Sequence, residues 1–127
     1  MGKKITTASL SALALVATAL ALMAGASAPE HEITLIARNM AFYTPDSDVA
    51  NPTLKLAPRE EVRFTFINLD RGIDHDLTVA DLGLRSSVLP GDGSSMTMSF
   101  RAPAQPGRHE YTCELHGRMM KGTLLVQ

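Results

Sequence analysis

"VRFTFIN", residues 62–68, alternates clearly: Val62, Phe64 and Phe66 lie on one side, Arg63 and Thr65 on the other. A period of two with bulky apolar residues on one side marks a strand that rests one face on a core and wets the other. On either side of it, other short segments follow the same rule. "HEITLIAR" (31–38) is rich in β-branched residues and stops at "NM", and "TLKL" (53–56) runs into the turn "APREE". "DLTVAD" (76–81), "SMTMSF" (95–100), "RHEYTC" (108–113) and "GTLLVQ" (122–127) complete the set, with Met96, Met98 and Phe100 sharing a face. "LPGDGSS" and "APAQPG" punctuate them as turns. Residues 39–52 are irregular and read as a loop or a short helix. No segment after residue 26 sustains a helical period. About seven short strands at spacings of roughly 8–12 residues predict an all-β fold, an antiparallel Greek-key β-sandwich or barrel.

The chain opens differently. Lys3 and Lys4 precede an apolar Ala/Leu-rich run, Leu10–Leu22, and then "MAGASAPE". That order is the pattern of a secretory signal, with Ala24 and Ala26 placed for a cut before Ser27. A cut after Ala28 would leave Pro29 first. The apolar run falls short of the ~20 residues of a membrane span, and no Arg-Arg pair marks the twin-arginine route. Residues 1–26 are therefore expected to be a signal peptide and 27–127 one exported domain, periplasmic or extracellular. Removing the signal takes away two lysines and no acid, so ten basic and thirteen acidic side chains remain, a net −3. Mild acidity without a basic cluster argues against nucleic acid or an anionic membrane as partner.

Cys113 is the one cysteine, so it has no intramolecular disulfide partner. In an oxidising compartment such a thiol needs an occupant. Its surroundings, "YTCELHGRMMKGTLLV" (111–126), put His116 and Met120 close behind it. Thiolate, imidazole and thioether together suit copper better than other common metals; two histidines, a cysteine and a weak axial methionine form the blue-copper set. A cysteine ending a buried strand is held rigidly, and a tight loop can return His116 and then Met120 to the same ion. The remaining imidazole must come from elsewhere, and His75 in "RGIDHDLTV" starts a strand after a loop. Each residue has a plainer role to set against this. Cys113 alone could be a small buried hydrophobe, His116 a surface residue and Met120 core filler. His31 reads as solvated. His109 shares the parity of Tyr111 and Cys113 and reads as packing or as a hydrogen-bond donor behind the ligands. Met96 and Met98 read as core.

Two blocks, "KLAPREEVRFTFIN" with "DHDLTV" and "FRAPAQPGRHEYTCELHGRMMKGTLLV", resemble the cupredoxins, the small blue copper proteins that include plastocyanin, amicyanin, pseudoazurin and azurin. The specific part is C-x2-H-x3-M-x-G after "PG-x-x-x-Y-x-C", with a histidine some way upstream. The resemblance implies one copper ion cycling between Cu(I) and Cu(II), held by His75, Cys113, His116 and Met120, with Met119 as the alternative axial residue. It implies one-electron transfer by a monomer that docks a redox partner protein transiently near His116, rimmed by Leu115, Gly117 and Met119. Three departures stand out. Asp76 takes the place of a common asparagine whose side chain ties the two ligand loops together, and Leu115 and Gly117 take the places of prolines, which implies a looser loop. Four ligands leave no open position and no acid/base pair stands near them, so no enzymatic chemistry is expected. Copper storage or delivery, and a zinc-bound or metal-free interaction module, are the alternative functions. A Cys-His nucleophile fits poorly with a pair on one short loop.

Overall fold

Residues 1–2 and 30–127 are described by the computed structural model, and among them nine strands form. They are β1 (His31–Arg38), β2 (Ala41–Tyr43), β3 (Thr53–Leu56), β4 (Glu61–Asn68), β5 (Thr78–Val79), β6 (Leu84–Arg85), β7 (Ser95–Arg101), β8 (Gly107–Thr112) and β9 (Lys121–Val126). Single 3-10 turns occupy Ala80–Leu82 and Glu114–His116. The expected signal, apart from Met1 and Gly2, and its cut site lie outside the described residues. No described helix is long and apolar enough to cross a membrane.

The strands build two sheets, β2-β1-β4-β7 and β3-β9-β8-β5-β6, and the all-β sandwich is present. β4 turns Val62, Phe64 and Phe66 fully inward, as their alternation requires. Beside it β1 buries Ile33, Leu35 and Ala37, in the register Ile33↔Phe64 and Leu35↔Phe66. The opposite sheet contributes Leu54, Leu56, Val79, Tyr111, Leu124 and Val126. Phe42 joins the layers, its ring edge-on to Phe66 at 6.0 Å and to Tyr111 at 5.5 Å. Each such ring withdrawn from water stabilises the sandwich by about 1.5–3 kcal/mol.

Two pairings depart from the antiparallel expectation. β1–β4 and β3–β9 are parallel. Parallel neighbours need a long crossover, and here the chain supplies it by leaving one sheet for the other between the paired strands. Two further differences are local. Residues 39–52 contain β2, which β1 reaches through a two-residue turn with Asn39 at φ 50° and Met40 at φ 59°. The strand expected over 76–81 is shorter, Thr78–Val79, because Ala80–Leu82 coil into a 3-10 turn. Gly83 ends that turn at φ 66° and donates its N–H to the Ala80 carbonyl.

Candidate metal centre

Asn68 continues the inward face of Phe64 and Phe66 but is polar, and it is fully buried. Its Nδ2 donates to the carbonyls of Ile73 and Leu89, both at 2.8 Å, and its Oδ1 accepts the Asp70 N–H at 3.0 Å. This lacing folds residues 69–74 against the segment ending at Gly91. His75 then bridges to Leu89, donating its N–H at 3.0 Å and accepting in return at 2.8 Å. The imidazole of His75 is thus carried by backbone that is bonded on both sides, and its side chain is fully buried.

The second donor segment leaves β8 at Cys113, also fully buried. The Glu114–His116 turn brings the chain round at once: the His116 N–H meets the Cys113 carbonyl at 3.2 Å and the Met120 N–H meets the His116 carbonyl at 3.1 Å. The Cys113 N–H reaches the Met120 carbonyl at 3.0 Å and closes the loop onto itself. Asn51, itself at φ 51°, donates from Nδ2 to the Met119 carbonyl at 2.9 Å. Leu115 and Gly117, in the places where the resembled family has prolines, therefore stand in a loop tied internally and from outside.

The two segments converge. His75 Nδ1 and His116 Nδ1 lie 3.1 Å apart, and Cys113 Sγ lies 3.6 Å from each. A point about 2 Å from all three atoms exists for a triangle of those sides, close to metal–imidazole lengths of ~2.0–2.1 Å and metal–thiolate lengths of ~2.3 Å. Among the described residues this is the group of histidine, cysteine and acidic side chains compact enough for one ion. Met120 is buried (0% exposed) next to Cys113, whereas Met119 is 54% exposed. One thiolate and two imidazoles, with a buried methionine whose carbonyl accepts the Cys113 N–H, fit copper by donor softness, and His75, Cys113, His116 and Met120 form a candidate copper site.

Asp76 performs the tie that the sequence comparison assigned to an asparagine, through acceptance alone. Its Oδ1 accepts the Glu114 N–H at 2.8 Å and its Oδ2 the Thr78 hydroxyl at 3.0 Å. Glu114 is held further by a two-pronged ion pair with Arg85. Burial pushes the Cys113 thiol up from its ordinary range, as does the Asp76 carboxylate; the backbone N–H groups of Asp76 and His116 oppose them. Asp76 N–H lies 3.5 Å from the sulfur. A thiolate at this position therefore needs a cation beside it.

The remaining marked residues lie elsewhere. His109 shares strand parity with Tyr111 and pairs through Nδ1 with Asp81 at 2.6 Å, away from the ligands. His31, whose register partner Val62 lies at the opposite end of β4 from Asn68, faces Glu60 at 3.2 Å with its side chain partly exposed. Met96 and Met98 pack against the core from β7. Two residues of the site went unremarked in the sequence, Asn68 and Asp70; His75 Nε2 lies 2.9 Å from Asp70 Oδ2. The available signal was parity: positions 62, 64 and 66 face inward, so a polar residue at 68 had to have a hydrogen-bonding task.

The family model described as a cupredoxin-like domain matches residues 11–126, and the chain belongs to that family. Among solved structures it is similar to reduced auracyanin from Roseiflexus castenholzii, at 19% identity and TM-score 0.60, covering 79% of this chain and 99% of that one. It is also similar to auracyanin A, a "blue" copper protein from Chloroflexus aurantiacus, at 20% identity and TM-score 0.59, covering 78% and 100%. A third similar structure is the metal-binding domain of the Cu(I)-exporting P-type ATPase CopA of Streptococcus pneumoniae D39 with Cu(I), at 20% identity and TM-score 0.55, covering 76% and 84%. No curated protein matches the chain. At these identities the likeness to solved structures establishes the fold.

Proposed function

We propose that the chain is a small exported type 1 copper protein, residues 27–127 after signal removal, that carries single electrons between redox partners. The observation that carries this reading is the convergence of Cys113 Sγ with the Nδ1 atoms of His75 and His116 at 3.1–3.6 Å inside a bonded sandwich. The chain's likeness to auracyanin A, a "blue" copper protein of the same fold, supports it. Copper bound by His75, Cys113, His116 and Met120 supplies a one-electron couple. The chain's part is to keep the donors still. Cys113 is anchored by β8 and by the closure to Met120, His75 by its bridge to Leu89, and the loop between by Asp76. Donors that stay in place in both oxidation states leave little to rearrange when an electron moves. With four donors filling the site no position is left for a substrate, so we read a carrier and not an enzyme.

Adding Cu(II) to the purified protein tests this. One equivalent should produce intense visible thiolate-to-copper absorption that a one-electron reductant bleaches and an oxidant restores. A colourless, reversibly bound ion would sink the assignment. His116 is half-buried between Leu115 (53% exposed) and Met119, and this apolar rim is the proposed docking face for a transient partner. Leu115→Glu should slow electron exchange about tenfold, equivalent to ~1.4 kcal/mol of docking free energy, with the colour unchanged. Equal exchange rates would place docking elsewhere. Copper delivery is the second reading, favoured by the likeness to the CopA domain, which was solved with Cu(I). Ready loss of Cu(I) to a competing chelator would support delivery, and fast self-exchange with Cu(I) retained would support shuttling.

A further inference from the structure

We propose that Asp70 is a positioning residue for the candidate copper site, orienting His75 and strengthening its Nδ1 as a donor so that the site favours Cu(II). The proposal rests on His75 being a ligand, as argued above. Its basis is the contact between Asp70 Oδ2 and His75 Nε2 at 2.9 Å. The His75 side chain is fully buried, so its second nitrogen cannot turn to water, and Asp70 is only 13% exposed. An ionised carboxylate only accepts. His75 Nε2 must therefore carry the proton, which leaves the lone pair on Nδ1, the atom that faces Cys113 Sγ and His116 Nδ1.

The carboxylate is itself fixed from several directions. The same Oδ2 accepts the Met40 N–H at 2.8 Å, and the Asp70 N–H is held by Asn68 Oδ1 at 3.0 Å. Met40 sits at φ 59° in the turn after β1, a conformation that a methionine adopts only when something holds it there. Three parts of the chain thus meet at one residue: the β1–β2 turn and the His75 loop at its carboxylate, and the end of β4 at its N–H.

A fixed negative charge behind an imidazole raises the basicity of the opposite nitrogen and favours the more highly charged ion bound there. The two imidazoles are accordingly unequal. His75 is buried and backed by a carboxylate, whereas His116 is half-buried at the rim.

Asp70→Asn tests the charge while keeping an acceptor and the shape. The variant should bind Cu(II) about tenfold more weakly, within the ~10–100-fold typical of losing such a partner, and Cu(I) almost unchanged. A tenfold difference between the two ions corresponds to a rise of ~59 mV in reduction potential. Asp74→Asn, an exposed neighbour with the same loss of charge, should leave both quantities at wild-type values. A further readout needs neither copper nor a variant. Nitrogen NMR of the metal-free wild-type protein should show the His75 ring protonated at Nε2 with Nδ1 bare. The opposite tautomer would overturn the proposal, as would an Asp70→Asn protein with wild-type potential and Cu(II) affinity, or equal shifts in the Asp74→Asn control. Those failures differ from failure of the site itself, in which the wild-type protein would show no thiolate-to-copper band.

Discussion

The Cys113→Ser protein, mixed with Cu(II), is expected to stay colourless. The visible band requires charge transfer from a thiolate, and a serine hydroxyl offers neither the soft donor nor an accessible anion. Copper affinity should fall by more than the ~10–100-fold that loss of an outer partner brings, because a direct ligand is gone. The fold should persist. Serine is close to cysteine in size, and its hydroxyl can take up the Asp76 N–H that now points at the sulfur. Placing a hydroxyl there should cost about 1–3 kcal/mol, read as a small shift in the denaturant midpoint. Titration with copper followed by absorption separates the two effects. A variant that remains coloured would show that the sulfur at 113 is not the ligand.

The largest loss of stability is expected from Gly91→Ala. A methyl group there would fall 1.9 Å from the Asp70 carbonyl oxygen and 2.8 Å from the N–H nitrogens of Gly72 and Ile73. The clashing atoms are backbone, so no rotamer change relieves them. Gly91 is required for close approach of two chain segments and not for an unusual φ. Separating the segments would also stretch the bond from the Gly72 N–H to the Gly91 carbonyl, now 3.1 Å. Overpacking of this kind costs about 3 kcal/mol, and the displaced loop carries both Asp70 and His75. The variant should therefore unfold at lower denaturant and bind Cu(II) more weakly. A midpoint within error of wild type would mean that the loop has slack which the bonds from Asn68 do not suggest.

The parts legible in the sequence are those where one local pattern decides the outcome. The alternation in 62–68 gave a strand within one residue of that observed, and 31–38 and 53–56 matched end for end. Cys113 and His116 are neighbours in the chain, so their meeting was visible in the spacing; that His75 joins them depends on a contact between distant segments, to which its place at the start of a strand and the resemblance both pointed. What stayed hidden was non-local or unusual in local chemistry. β2 is three residues long and follows a turn that has no glycine, although both of its residues take positive φ. The parallel pairs could not be read because no local signal says which distant strand will lie alongside. Asp70 and Asn68 were passed over because a polar residue near the end of a strand looks like the start of a loop. Only the fold shows that 68 continues the buried face.

The partnering of β3 with β9 has a temporal consequence. Residues 53–56 pair with 123–126, on the strand that follows the 113–120 loop, and Thr78 pairs with Thr112 one residue before the sulfur that meets His75. Contacts between such remote stretches form slowly. Until they form, the sulfur at 113 is neither shielded nor complexed, so a newly made chain passes through an interval of vulnerability to oxidants. Conditions that shorten this interval should raise the yield of molecules able to take up the ion.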